Sequence, residues 1–248
     1  MLRVSLLSGE ELARLPLSEL SDVKALKQRL NQQHGLPSRF RQRLLHDGVA
    51  LHDAVKLDSA MDLQAVIMEF NEVVEAREDL YDAASDCNVT EVERLLQLPL
   101  DPDVCDDESG KWCITLLIQA STDGHADVVQ LLLEAGADKE LGDIDGCTPL
   151  FVAAQTGHAP VVRLLLEAGA QTEVRDLKGR TALMEASMRG HTPVVQLLLE
   201  AGAQKDARDV EGRTAVMEAS RNGHASVRQL LVDAGAELPK WTSVCVLS

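Results

Sequence analysis

Aromatic side chains are scarce in this 248-residue chain, which holds two Trp, one Tyr and three Phe. That scarcity argues against a stacking platform for single-stranded nucleic acid. Basic residues are in deficit too, with 24 Lys and Arg against 40 Asp and Glu and a net charge of -16. A phosphate backbone wants the opposite balance, so no nucleic-acid partner is expected. No apolar run reaches the ~18 residues of a membrane-spanning helix. The opening MLRVSLLSGEE meets a glycine and two acids too early for a secretory signal. The five cysteines are odd in number and lack C-x-x-C spacing, which fits a reducing compartment, so a cytoplasmic location, with nuclear or peripheral membrane residence as variants, is expected. The chain has no phosphate-cradling glycine loop followed by Lys and no G-x-S-x-G elbow. Residues Asp101, Asp103, Asp106, Asp107 and Glu108 suggest a calcium loop, but its sixth and twelfth positions hold Asp106 and Trp112, where glycine and a carboxylate are needed. The reading is therefore of a non-enzyme with no catalytic residues, no cofactor and no metal site. What the chain does have is 45% hydrophobic and 26% charged residues, the composition of a folded globular protein.

The charge is concentrated in one stretch. Residues 1–70 hold nine bases and nine acids, and residues 146–248 hold eleven of each. Residues 71–145 hold 4 bases against 20 acids and carry the whole excess. Such a segment either keeps the surface solvated or attracts a basic partner.

Three sets of markers recur with one step. The pairs Gly124-His125, Gly157-His158, Gly190-His191 and Gly223-His224 are 33 residues apart, as are Gly136, Gly169, Gly202 and Gly235, and Thr115, Thr148, Thr181 and Thr214. In the unit GCTPLFVAAQTGHAPVVRLLLEAGA, Thr148 is a good N-cap and Pro149 sits where a missing N–H costs nothing. Gly157 ends a first helix, VVRLLLEA forms a second, and Gly169 stops it. The histidines are read as turn residues capping each helix pair. Adjacent ones should lie ~8–10 Å apart, too far to share an ion bonded at ~2.1 Å. One unit cannot cover its own apolar face, so units must stack.

The 33-residue step and this text resemble the ankyrin repeat. A degenerate first unit, Asp79 to Ala84 and Glu91 to Leu96, matches Thr115 to Ala120 and Asp127 to Leu132 at an offset of 36. The family's Thr-Pro-Leu-His appears here as Thr-Leu-Leu-Ile, Thr-Pro-Leu-Phe, Thr-Ala-Leu-Met and Thr-Ala-Val-Met. Loss of that histidine predicts a looser link between turns, offset by packing of Ile118, Phe151, Met184 and Met217.

The first seventy residues lack the period. A strand from Leu2 to Leu7, a second apolar stretch with Leu12, Leu15 and Leu17, a helix capped by Ser21 and ended by Gly35, and a last strand from Met61 to Phe70 suggest an α+β domain. Val23 to Leu36-Pro37, Gln42-Arg43-Leu44-Leu45, Gly48 and Leu63 to Val66 resemble the layout of ubiquitin. The resemblance implies a β-grasp fold and an apolar docking patch at Leu7, Leu45 and Val66. Alternation puts Leu44 inward and Leu45 outward, though these residues also suit a core. No cleavable Gly-Gly follows, since the strand runs into Glu69-Phe70-Asn71-Glu72, which implies a domain read by binding and not conjugated. Arg39, Arg41 and Arg43 form a basic row that meets an external acid, docks on the acidic 71–145 segment, or lies as a solvated strand edge.

The chain closes with Cys245-Val246-Leu247-Ser248, the form of a farnesylation signal at Cys245. Ras-type small GTPases carry motifs of this kind. One lipid chain gives only marginal membrane binding.

The fold expected is an α+β ubiquitin-like β-grasp domain followed by an all-α ankyrin solenoid of five helix-turn-helix repeats. The boundaries are 1–70 for the first domain, 71–78 for an acidic linker, and 79–238 for the repeats (79–111, 112–144, 145–177, 178–210, 211–238). A flexible tail covers 239–248. The expected function is a non-catalytic adaptor binding other proteins. Recognition is assigned to positions that vary between repeats: Trp112, Gln119, Thr122, Val152, Gln155, Glu185, Met188, Glu218 and Arg221. Trp112 either anchors the interface or packs on the first repeat. The ubiquitin-like domain would supply a second docking module toward ubiquitin–proteasome components. The alternative is a farnesylated scaffold with transient membrane contact.

Overall fold

The structure, a computed structural model, describes residues 2–16, 20–57, 61–68, 74–98, 100–103 and 114–237. Trp112 and Cys245, and with them two of the expected site residues, lie outside the described residues. The chain divides into two compact units. The first comprises residues 1–83, 89–102 and 134–137, and the second 84–88, 103–133 and 138–248.

The first unit contains a five-stranded mixed sheet, a helix packed on it, and two further helices, most of 74–85 and all of 89–96. The strands are β1 (Leu2–Leu6), β2 (Glu11–Leu15), β3 (Gln42–His46), β4 (Val49–Ala50) and β5 (Asp62–Ile67), in the order β2-β1-β5-β3-β4. The β1–β5 pair is parallel and the others antiparallel. Asp47 and Gly48 both have positive φ and join β3 to β4, as a two-residue hairpin turn demands. Period-2 alternation sends Leu2 and Val4, Ala13 and Leu15, Leu44, and Leu63 and Ala65 to one face. There they meet Val23, Leu26 and Leu30 of helix α1 (Val23–His34) in a single core. Gly35 closes that helix in the left-handed conformation.

Several expectations for this unit need correction. The side chain that caps α1 is Asp22, not Ser21, because its carboxylate accepts the Ala25 N–H at 2.8 Å. The last strand ends at Ile67. Within the stretch read as a linker, residues 74–78 are helical, in α2 (Val74–Ser85), where Ala76 and Leu80 are buried on one face. The three arginines do not form a row. Arg39 to Arg41 make a 3-10 turn, and Arg39 is 1% exposed. Its guanidinium pairs with Asp53 at 2.7 Å, Glu93 at 3.1 Å and Glu134 at 2.7 Å, and Lys27 also pairs with Asp53 at 2.7 Å. The Phe40 ring lies 3.8 Å from the same guanidinium. Buried arginine cannot shed its proton, so it must be met by several acceptors at once. Burial alone would raise the Asp53 carboxyl, but hydrogen bonds and charge from Lys27 and Arg39 hold it below its ordinary range.

The second unit is a stack of helical hairpins. After α2 and α3 (Val89–Leu96) come four pairs: α4 (Leu116–Asp123) with α5 (Ala126–Ala135), α6 (Pro149–Thr156) with α7 (Ala159–Glu167), α8 (Ala182–Arg189) with α9 (Thr192–Glu200), and α10 (Ala215–Arg221) with α11 (Ala225–Asp233). First helices pack on first helices, α4 on α6 on α8 on α10, and second helices on second, α7 on α9 on α11. Ala153, Ala154 and Ala186 are fully buried, so small side chains let these helices approach closely. Thr115, Thr148 and Thr181 accept the N–H three residues on, at 3.3 to 3.4 Å, whereas the Thr214 hydroxyl is buried without a partner. Among the described residues no helix is long and apolar enough to cross a membrane.

Candidate protein-binding surface

The repeated histidines do more than end a turn. His158, His191 and His224 stand at N-cap positions without making a side-chain cap. Instead each ring reaches back one repeat. Their Nε2 atoms lie 3.0 Å from the carbonyls of Thr122, Gln155 and Met188 respectively. Each ring fills the space where a side chain on the preceding repeat's glycine would stand, within 2.6 Å of a Cβ placed on Gly124, Gly157 or Gly190. Neighbouring fingers, the turns between successive hairpins, are joined as well. Leu177 donates its N–H to the Asp145 carbonyl at 2.9 Å, and Val210 to that of Lys178 at 3.1 Å. Successive repeats are thus linked by imidazole clips at one end and backbone bonds at the other, although the family's histidine is missing.

The residues assigned to recognition fall into two columns of the repeat. Gln119, Val152, Glu185 and Glu218 are one column; Thr122, Gln155, Met188 and Arg221 are the other. Most are occupied internally. Val152 is buried. Gln119 donates to Asp123 at 2.6 Å and the Thr122 hydroxyl to the Ile118 carbonyl at 2.9 Å. Glu185 is 0% exposed and binds Arg180, Arg189 at 3.1 Å and Gln155 at 3.1 Å. Glu218 is buried and lies 3.0 Å from Arg213. Met188 is half-buried, and Arg221 is exposed.

These pairs follow a rule within the sequence. Where Arg180 and Arg213 open the first helix, Glu185 and Glu218 stand five residues on, and Asp176 and Asp209 stand four residues before. Both aspartates accept the arginine, at 2.7 and 2.8 Å. In the third finger Cys147 replaces the arginine and Val152 the glutamate. Burial and the nearby Asp143, Asp176 and Asp145 push the Cys147 thiol up to about 12, so it stays protonated at neutral pH.

Three of the most exposed apolar side chains of the stack lie elsewhere, at the finger tips. Ile144 is 50%, Leu177 74% and Val210 72% exposed, and they occupy one column at the 33-residue step. Isolated exposed aliphatics are ordinary. A column of three, held tip to tip by backbone hydrogen bonds, is a ridge. Sequence reasoning passed over it because each tip sits in a polar, turn-rich stretch. The signal available was the shared column itself.

On the N-terminal sheet, cross-strand register pairs Arg43 with Val66 and Leu45 with Gln64, which places all four on the face opposite the core. Leu45 and Val66 are half-buried, while Leu7 is 63% exposed. A groove of about 450 Å³ borders Leu45, Gly48, Gln64 and the Arg3–Asp62 ion pair.

The stacked hairpins, their 33-residue step and their glycine-closed helices define a repeat protein. The family described as "Ankyrin repeats (3 copies)" matches residues 80–176 and 171–240, more than half of the chain, and the chain belongs to it. Repeats of this family generally mediate protein–protein interaction. Comparison with curated proteins returned no match.

Proposed function

We propose that this chain is a non-catalytic adaptor whose repeats hold another protein, with the N-terminal sheet as a second docking module. The observation that carries the reading is the ridge of Ile144, Leu177 and Val210, solvent-exposed apolar side chains presented by a rigid stack. The expected recognition columns supplement it through Arg221 and Met188, while Glu185 and Glu218 serve to hold the helices. Trp112 and the acidic 71–145 segment, facing a basic partner, belong to the same proposal on sequence grounds. The domain scheme proposed is 1–70, repeats over 79–238 and a tail at 239–248, with helix α2 already beginning at Val74 inside the stretch read as a linker.

For the N-terminal module, the strand order β2-β1-β5-β3-β4 with its parallel β1–β5 pair supports the ubiquitin-like β-grasp reading. The outward Leu45 and Val66 support a docking patch there, and with it a link to ubiquitin–proteasome components in the cytoplasm. Capture of partners from the native cell tests both halves. Leu177→Ser with Val210→Ser is expected to lose the client, and Leu45→Ala with Val66→Ala the ubiquitin-receptor partners. Retention of every partner by both variants would overturn the proposal.

On the sequence Cys245-Val246-Leu247-Ser248 we propose in addition that Cys245 accepts a farnesyl group, giving weak membrane contact. Mass spectrometry of the protein from a prenylating cell decides it, and an unmodified Cys245 ends that part.

A further inference from the structure

The ridge carries a pattern of charge that specifies what lies along it. In the fourth and fifth fingers the aspartate of the turn is neutralised, Asp176 by Arg180 and Asp209 by Arg213. In the third finger the arginine is absent, because Cys147 stands in its place. Asp143 there accepts only backbone N–H groups, from Asp145 at 2.9 Å and Cys147 at 2.8 Å. Asp145, beside Ile144, is exposed and has no cation within ion-pair distance among the described residues. The third tip is thus an apolar residue flanked by uncompensated negative charge.

The next tip, at Leu177, reverses the sign. Arg175 is exposed, and its Nη1 donates to the carbonyls of Gly179 at 2.9 Å and Arg208 at 2.6 Å. Arg208 likewise donates to the Gly212 carbonyl at 2.9 Å. Carbonyls hold these guanidinium groups in place without cancelling their charge. Lys178 is exposed beside Leu177. At the fifth tip Val210 stands between Asp209 and Glu211, which share Arg213 at 2.8 and 3.2 Å.

Spacing narrows the occupant's conformation. Successive tips are one repeat apart, ~8–10 Å for packed helices. A polyproline-II segment returns to the same face every three residues at ~3.1 Å each, or ~9.3 Å, in step with the ridge. An extended strand repeats its face every ~6.6 Å, which falls short of the second tip, and its residue at ~9.9 Å points to the opposite face. A helix returns near the right spacing only every seven residues, so three tips would need about fifteen residues of helix, marginal alone in water. Polyproline-II backbone is fully solvated and needs no pairing from the tips.

Resting on the ridge reading above, we propose that the ridge binds a short polyproline-II segment of a partner protein. Its apolar side chains fall at i, i+3 and i+6, with a base beside the residue on Ile144 and an acid beside the residue on Leu177. The two charge contacts fix the direction in which the segment runs, since the reversed segment sets base against Arg175 and Lys178. Salt weakens the discrimination, because these charges are exposed and screened over ~10 Å at 0.1 M.

The test is to pan a random twelve-residue peptide library on the full-length protein and measure the enriched peptides by fluorescence anisotropy. Enriched peptides are expected to show the i, i+3, i+6 apolar pattern with the stated charge order. Leu177→Ser, at an exposed position whose loss leaves the fold intact, is expected to weaken them at least tenfold. The double exchange Asp145→Lys with Lys178→Asp is expected to invert their charge preference. No enrichment, helical i, i+7 spacing, random charge order, or binding indifferent to Leu177→Ser each overturns the proposal. If the peptide preference fails while Leu177→Ser with Val210→Ser still loses a captured protein, the adaptor reading stands and only the peptide chemistry falls.

Discussion

The N-terminal sheet and the repeat stack are stabilised by contacts of different reach. In the sheet, β1 pairs in parallel with β5, joining Arg3 to Asp62 and Val4 to Leu63 across almost the whole domain sequence. The three central strands β1, β5 and β3 are joined by distant pairings, so the domain is expected to form as one piece. In the stack, successive hairpins are joined through contacts that recur one repeat away: a histidine on a carbonyl, a finger on a finger. Damage should therefore spread through the first region and stay local in the second.

The largest effect expected lies in the first unit. Asp53→Ala leaves Lys27 and Arg39 buried without their shared carboxylate, and loss of one partner of such a group costs about 3–5 kcal/mol. Because the Asp53 carboxyl is held below its ordinary range, its stabilisation is complete above that range, ~pH 4 and up, and is lost as pH falls through the depressed value. The gap between wild type and Asp53→Ala in urea denaturation should thus be wide at pH 7 and shrink toward pH 3.

A matched pair of core truncations sharpens the contrast. Leu63 in β5 and Leu198 in α9 are both fully buried, and each replacement by Ala costs about 2–5 kcal/mol. Hydrogen exchange should show Leu63→Ala lowering protection in all five strands. Leu198→Ala should lower it in α7, α9 and α11 and spare the sheet. Equal spreading in both would erase the distinction.

Smaller effects test the clips. Gly157→Ala meets the His191 ring and also forces a residue with a Cβ to φ 85°. Gly223→Ala carries the φ penalty alone, since nothing lies within 4 Å of its Cβ position. The first should cost more than the ~1–3 kcal/mol of backbone strain, and His191→Ala should remove the difference. Smallest of all, Thr148→Ala should cost about 0.5–2 kcal/mol through its lost N-cap, and Thr214→Ala, which loses no cap, less than that. Thermal melts of the five variants, with Gly157→Ala also combined with His191→Ala, decide both points.

Periodicity made the stack legible, because marker residues with separate physical reasons, a cap, a helix stop and a clip, share one step. The absence of the period and the strand–helix–strand pattern located the sheet domain, and alternation separated inward Leu44 from outward Leu45. Side-chain pairing was less legible. The Arg39 cluster joins residues 14, 54 and 95 positions apart, a distance no local pattern encodes. The variable columns looked like recognition positions because variation was taken as a sign of exposure. In Glu185 and Glu218 it reflects an exchange of ion pairs, Arg with Glu in two repeats and Cys147 with Val152 in another. The ridge at Leu177 and Val210 went unseen because single apolar residues in turns carry no local signal.

The central claim is that the repeats grip a partner at the finger tips. Hydrogen–deuterium exchange on the full-length protein, with and without its captured client, measures this most directly. Protection is expected to centre on the turns at residues 143–146, 176–179 and 209–212, with the buried faces of α6, α8 and α10 unchanged. Protection confined to the outer face of β3 and β5, with the turns exchanging as in the free protein, would contradict it.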